Sequence, residues 1–215
     1  MTQDEVTIID YGAGNVLSVQ RAFEHIGAKV NVTSDPYKII QASRLVLPGV
    51  GAFASAMHSI RRMGIDEAIY DSVNREIPLL GICLGMQLLF EESEEFGITK
   101  GLSLLSGRIK LISSSDTFGN NLRVPHIGWT GIYPANGLSR WSSYLMKDVS
   151  IGADVYFVHS YVAIPNNSTD LISECIYGEN KIPAVVGRDN ILGCQFHPEK
   201  SGSVGLSILN TFIRR

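Results

Sequence analysis

The chain has little of what several function classes require. Its three cysteines, Cys83, Cys175 and Cys194, are odd in number and far apart, and no Cys-x-x-Cys pair exists. That argues against a disulfide framework and against a zinc site. Charged residues make up only 18% of the 215, with a net charge of −3. No Lys/Arg cluster is longer than a pair, and Arg214-Arg215 is too small a patch to matter, so no nucleic-acid partner is expected. The longest apolar run, Ile77 to Phe90, contains Pro and Gly and is too short to span a bilayer, so no membrane association is expected either. Met1-Thr2-Gln3-Asp4-Glu5 is acidic where a signal peptide is basic, and no apolar segment follows it. A cytoplasmic location is the expectation, and the sequons at Asn166 and Asn167 then mark only a polar turn. No Pro/Ser-rich linker, low-complexity tract or internal repeat divides the chain, which is long enough to bury roughly 70% of its unfolded surface in one core. A single domain over residues 1–215 is expected.

What is present is an alternation of short apolar strands and helices. Val6 to Asp10 is β-branched and, Thr7 apart, apolar up to its last residue, as in a parallel strand covered on both faces. The turn Tyr11-Gly12-Ala13-Gly14-Asn15 leads to a helix from Val16 to Ile26, with Asn15 a cap candidate. It makes a poor dinucleotide fingerprint, since Leu17 replaces the third glycine and no convincing acidic residue ends a second strand. Further strands are expected at Lys29 to Thr33, Arg44 to Leu47 and Leu79 to Ile82, with helices opening at Asp35-Pro36 and spanning Ala52 to Met63 and Asp66 to Glu76. This order implies right-handed crossovers and an open, mostly parallel sheet flanked by helices, an α/β fold. Sites in such sheets form at the carboxyl ends of the strands. The turns Asp10 to Asn15, Pro48 to Gly51 and Cys83 all lie at such ends. After Gly101 strand-like runs at Arg108 to Ile112, Gly131 to Tyr133, Val155 to Val158, Leu171 to Ile176, Ala184 to Gly187 and Ile191 to Phe196 suggest an antiparallel extension of the sheet. A helix from Gly202 to Ile213 ends the chain.

The chemistry centres on Gly81-Ile82-Cys83-Leu84-Gly85. It reads as a strand, a sharp corner at Cys83 and a helix running on through Phe90. Glycines two before and two after a nucleophile permit a tight, strained corner that pushes the thiol out of the sheet edge. The helix N-terminus would favour a thiolate and offer N–H groups to an oxyanion. A buried cysteine between two helix-packing glycines is the competing reading. Far along the chain, His197-Pro198-Glu199 follows a strand. In extended backbone His197 and Glu199 project to the same side, and Pro198 keeps the segment from turning helical. Glu199 can then fix the tautomer and orientation of a His197 base; a surface His–Glu pair is the bland alternative. His25, His58, His126, His159 and His197 show no metal spacing, and neither metal nor cofactor is expected.

Together, Gly81 to Gln87 and His197-Pro198-Glu199 resemble the triad of the class I glutamine amidotransferases, a flavodoxin-like α/β family. The similarity is narrower still to the glutaminase subunits of imidazole glycerol phosphate synthases. Asp10-Tyr11-Gly12-x-Gly14-Asn15, Leu47 to Gly51, Pro125 to Trp129, Tyr156 to Tyr161 and Phe196 to Gly202 carry it, across nearly the whole chain. Pro48-Gly49-Val50-Gly51 discriminates, because sister amidotransferases carry a different glycine-rich turn there. Thr130 departs from the pattern, where these subunits usually have Asn.

The resemblance implies that Cys83 attacks the side-chain amide of L-glutamine, that His197 moves protons and that Glu199 orients it. It implies an oxyanion site at the Leu84 N–H and at Val50 and Gly51, and a glutamine pocket lined by Gly51, Gln87, Glu95, Ser160 and Tyr161. It further implies ammonia transfer to a (β/α)8 cyclase subunit in a heterodimer of histidine biosynthesis, docked on a face including Asn15, His126, Trp129, Tyr156 and Lys200. Outside the resemblance, Gln87 and Glu95 read as solvated positions, His126 and Trp129 as core, and Lys200 as an ordinary surface lysine. Alternatives are a paralogous subunit feeding ammonia to a surface-sugar amidination synthase, a related cysteine hydrolase or peptidase, and a non-catalytic module with a vestigial triad. Cys175 and Cys194, in strand-like runs, read as inert core thiols.

Overall fold

The computed structural model describes residues 4–12, 14–115 and 118–214. Met1 to Gln3 at the acidic start, Ala13 in the first glycine turn and Arg215 at the basic end lie outside the described residues. The elements in order are β1 (Glu5–Ile9), α1 (Val16–His25), β2 (Lys29–Thr33), α2 (Pro36–Ile40), β3 (Leu45–Gly49), α3 (Phe53–Arg62), α4 (Ile65–Asn74), β4 (Leu79–Cys83) and α5 (Leu84–Leu88). There follow β5 (Phe90–Ser93), β6 (Thr99–Lys100), β7 (Leu105–Leu111), β8 (His126–Pro134), β9 (Asp154–His159), β10 (Tyr161–Pro165), β11 (Leu171–Tyr177), β12 (Asn180–Arg188), β13 (Ile191–Cys194) and α6 (Gly202–Ile213).

A nine-stranded sheet runs β2-β1-β3-β4-β13-β12-β11-β8-β9. The pairs from β2 to β13 are parallel and those from β13 onward antiparallel. The α/β reading and its antiparallel extension are therefore as expected, with the strand order of a doubly wound sheet on the parallel side. The apolar runs of β3 and β4 are buried at every position, whereas β2, with Lys29 and Asn31 among its valines, takes the edge. Successive residues alternate between two cores. Ile8, Val46 and Leu80 face α1 and α6, where Val19, Phe23, Ile208 and Phe212 meet them. Ile9, Leu47 and Leu79 face α3 and α4, where Phe53, Met57, Ile60, Ile65 and Ile69 pack.

Two expectations are corrected. The helix after Cys83 stops at Leu88 and the chain re-enters β structure at Phe90, so the apolar run to Phe90 holds a strand, a short helix and the start of another strand. The later strands also do not all extend the main sheet. A separate sheet, β10-β7-β5-β6, lies over the second core through Leu105, Ile109 and Ala163. The strand β10 has no counterpart among the expected elements.

Candidate active site

The carboxyl ends of β3, β4 and β13 are adjacent, with Gly49 paired to Cys83 and Cys194 to Ile82. That adjacency sets Cys83 between the Pro48–Gly51 turn on one side and the segment leading to His197 on the other. Cys83 takes φ 54° and ψ −110°, a conformation that costs a non-glycine residue of order 1–3 kcal/mol. The flanking glycines make the corner possible by close approach. A Cβ on Gly81 would sit 2.7 Å from the Gly85 carbonyl oxygen, and one on Gly85 would collide with the Leu47 carbonyl oxygen. The short helix α5 is thereby pressed directly onto β3 and β4. The packing and chemical readings of the two glycines are the same fact.

The thiol is 6% exposed and points to the cavity, donating weakly to the Val158 carbonyl at 4.0 Å. His197 lies fully buried, and its Nδ1 meets Glu199 Oε1 at 2.7 Å. The carboxylate accepts from Nδ1–H, which leaves Nε2 free of the carboxylate; Nε2 is buried and makes no hydrogen bond of good geometry among the described residues. The imidazole backbone is clamped as well. His197 N–H donates to the Tyr156 carbonyl at 3.0 Å, Ser201 Oγ donates to the His197 carbonyl at 2.7 Å, and Tyr156 N–H donates to that same Ser201 oxygen at 3.0 Å. Burial opposes charge on His197, but interaction with Cys83 and Glu199 outweighs it and pushes the pKa up to about 9. An imidazolium beside sulfur is therefore the favoured state near neutral pH.

A cavity of about 510 Å³ opens beside the sulfur. Its lining includes Val50, Gly51, Leu84, Gln87, Glu95, Ser160 and Tyr161, so every residue expected at the oxyanion and glutamine sites borders the same space as Cys83. Gly51 has φ 107°, a conformation open to glycine. Gln87 is buried rather than solvated, and its Nε2 donates to the Tyr161 carbonyl at 2.9 Å and to Gln195 Oε1 at 3.0 Å. Glu95 also differs from a solvated surface group: its Oε2 accepts the Phe53 N–H at 2.6 Å, at the first turn of α3.

The residues expected on a docking face separate into two kinds. Trp129 is 57% exposed and stacks edge-on, 6.0 Å between centroids, with Tyr156 directly across the β8–β9 pair; Lys200 is exposed. His126 is corrected to an interior position. It is 1% exposed, sandwiched between Phe157 and Tyr177, because alternation along β8 turns it inward while Ile127 and Trp129 turn out. Asn15 is half-buried, and it is corrected only as a cap candidate. It makes no side-chain cap, and its amide instead reaches Glu199 Oε1 at 2.5 Å and lies 3.5 Å from His197 Nδ1.

Two residues near sulfur escaped the sequence reading. Gln195, fully buried, points its Nε2 at Cys83 Sγ at 3.9 Å, and His159 lines the cavity. Gln195 was findable: it precedes His197 by two in an extended run, hence shares its side. Cys175 and Cys194 are buried, and burial pushes the Cys175 thiol up to about 12 and Cys194 higher still, as inert core thiols require.

The comparisons with known proteins agree with this geometry. The family model described as "Glutamine amidotransferase class-I" matches residues 7–215. The chain is 43% identical over 209 residues to the imidazole glycerol phosphate synthase subunit HisH of Legionella pneumophila, covering 97% of this chain and 98% of that one. It is 46% identical over 208 residues to the subunit of the same name from Geobacillus thermodenitrificans (strain NG80-2), covering 97% and 94%. Among solved structures, a glutamine amidotransferase crystal structure superposes with a TM-score of 0.70 at 17% identity over 94% of both chains, a likeness of fold. No described helix is long and apolar enough to cross a membrane. With a cysteine elbow, a buried His–Glu pair beside it and a family match over nearly its whole length, the chain belongs to the class I glutamine amidotransferases.

Proposed function

We propose that the chain is the glutaminase subunit of an imidazole glycerol phosphate synthase, acting in histidine biosynthesis. The observation that carries the reading is the placement of Cys83 on a strained corner beside the buried His197–Glu199 pair, at the wall of one cavity. Supporting it is full-length similarity to HisH subunits; the relatives do not favour the surface-sugar alternative.

In this reading the Cys83 thiolate attacks the side-chain carbonyl carbon of L-glutamine, forming a C–S bond and an oxyanion. The N–H of Leu84 and a peptide of the Gly49–Gly51 turn receive that oxyanion. His197, protonated at Nε2, gives its proton to the amide nitrogen as the C–N bond breaks and ammonia leaves. Neutral His197 then takes a proton from water, which attacks the γ-glutamyl thioester and releases glutamate and the thiol. Glu199 holds the imidazole throughout. A free amino acid carries both charges into a half-enclosed site and needs polar partners for each; Glu95 suits the ammonium, and Gly51 and the Ser160–Tyr161 backbone the rest.

Ammonia passes to a (β/α)8 cyclase subunit acting on a phosphoribosyl aminoimidazole carboxamide derivative. Trp129, Tyr156, Lys200 and the partly exposed Asn15 form the docking face, and His126 supports it from beneath. Docking sets the oxyanion turn, so the chain alone turns over slowly. Ammonia release from glutamine, measured with and without the barrel subunit and its substrate, tests this: activity that requires the partner is expected. Full activity of the chain alone contradicts the gating, and none in the complex contradicts the function.

A further inference from the structure

Six polar groups join the outer β8–β9 pair to the nucleophile without a break. Thr130 Oγ1 lies 2.9 Å from His126 Nε2, His126 Nδ1 lies 3.2 Å from His159 Nε2, and His159 Nδ1 lies 2.9 Å from the Tyr161 carbonyl. That carbonyl also takes the Gln87 amide, which holds Gln195, whose amide points at the Cys83 sulfur.

The direction of every bond follows from one fact. A carbonyl oxygen only accepts, so His159 must be protonated at Nδ1. When His159 is neutral its Nε2 then accepts, so His126 must donate from Nδ1. His126 Nε2 in turn accepts, and Thr130 must supply its hydroxyl proton. The same logic on the far side makes Gln87 donate to Tyr161 and to Gln195 Oε1, which leaves Gln195 Nε2–H facing sulfur. No member has a second choice. Burial lowers the pKa of His126 to about 4 and of His159 to about 3, so both rings are neutral at working pH, as this pattern requires.

We propose that Thr130, His126 and His159 are positioning residues for the glutamine site. They form a one-way chain of hydrogen bonds that fixes the Tyr161 wall of the cavity and, through Gln87, the Gln195 donor on the Cys83 sulfur. Gln195 touches the reacting atom and is a catalytic residue, giving a hydrogen bond to the thiolate. Thr130 is half-buried in the strand whose other face carries the exposed Ile127 and Trp129, so whatever shifts β8 is felt at the pocket wall. A static core role for the two histidines would leave the KM for glutamine unmoved by loss of the Thr130 hydroxyl; the relay would not.

The inference rests on the glutaminase reading only for the identity of the ligand, and its two tests separate accordingly. Long-range nitrogen–proton NMR on the histidine-labelled chain should find both His126 and His159 protonated at Nδ1 and bare at Nε2. A proton on Nε2 of either ring overturns the relay, whether or not the chain is a glutaminase. In the complex with the cyclase subunit, Thr130→Val should raise KM for glutamine about five-fold, the loss expected for one neutral hydrogen bond. Ammonia-dependent turnover should stay unchanged, and Thr130→Ser should restore the wild-type KM. A Thr130→Val complex with wild-type KM and kcat, or a Thr130→Ser complex as impaired as Thr130→Val, overturns the proposal.

Discussion

The Asn15 amide donates to the same Glu199 oxygen, at 2.5 Å, that His197 Nδ1 reaches at 2.7 Å. One carboxylate oxygen thus takes two donors from opposite ends of the sequence. The first glycine turn is thereby part of the support of the His197–Glu199 pair, because Asn15 sits at the head of α1 with φ 77°. Fixing the carboxylate fixes the imidazole, and with it the direction of Nε2.

Asn15→Ala should therefore lower kcat for glutamine about ten-fold, the scale of a lost hydrogen bond to a charged acceptor, with KM little changed. Asn15→Asp should be worse, since it sets a second carboxylate against Glu199. Steady-state glutaminase kinetics of the complex decide it; an Asn15→Asp complex as active as wild type contradicts the support role.

Gly85→Ala forces a methyl group against the Leu47 carbonyl and must lift α5 off β3. Overpacking of backbone on backbone should destabilise the chain by at least about 2 kcal/mol. Denaturant unfolding reads this directly. Glutaminase activity should fall with it, since Leu84 and Cys83 ride on the same corner.

Glu95 accepts the Phe53 N–H at the start of α3 and borders the cavity. Glu95→Ala removes that acceptor and should cost about 1 kcal/mol of stability, as loss of a helix cap does. It should also raise KM for glutamine. Thermal unfolding together with kinetics separates the two effects, and Glu95→Gln should keep most of the stability while still raising KM.

The histidine pair gives a pH prediction with a definite sign. His126 faces Thr130, Phe157, Tyr177 and His159, and His159 faces His126, Phe157, the Tyr161 carbonyl and His197. Their pKa values fall from 6.5 to about 4 and about 3, burial being the largest cause for both. Below pH 6.5 the unfolded chain takes up protons that the folded chain refuses, so stability is lost as pH falls from 6.5 toward 4. Thermal midpoints across that window should drop more steeply in wild type than in a His126→Gln, His159→Gln double variant. Parallel curves would show that the pair does not resist protonation.

What the sequence revealed, and what it hid, has a physical pattern. Fully apolar strands such as Leu79–Cys83 announce a sheet covered on both faces, and the elbow glycines announce a corner, because each constraint is local. The His–Glu pair was legible for the same reason: His197 and Glu199 are two residues apart on extended backbone. The second sheet was hidden because an apolar run such as Leu84 to Phe90 suits helix and strand alike, and only tertiary packing chose a break at Leu89. Asn15 suits a cap because capping is local, whereas its actual partner lies 184 residues away. The resemblance puts His126 on a docking face, whereas alternation with the exposed Trp129 turns it inward.

The central claim is that Cys83, set against His197 and Glu199, performs the glutamine chemistry. Its most direct measurement is product formation by the Cys83→Ala complex, supplied in turn with glutamine and with ammonia. The account predicts no glutamine-dependent turnover and unchanged ammonia-dependent turnover. Ammonia still released from glutamine by that variant would contradict it.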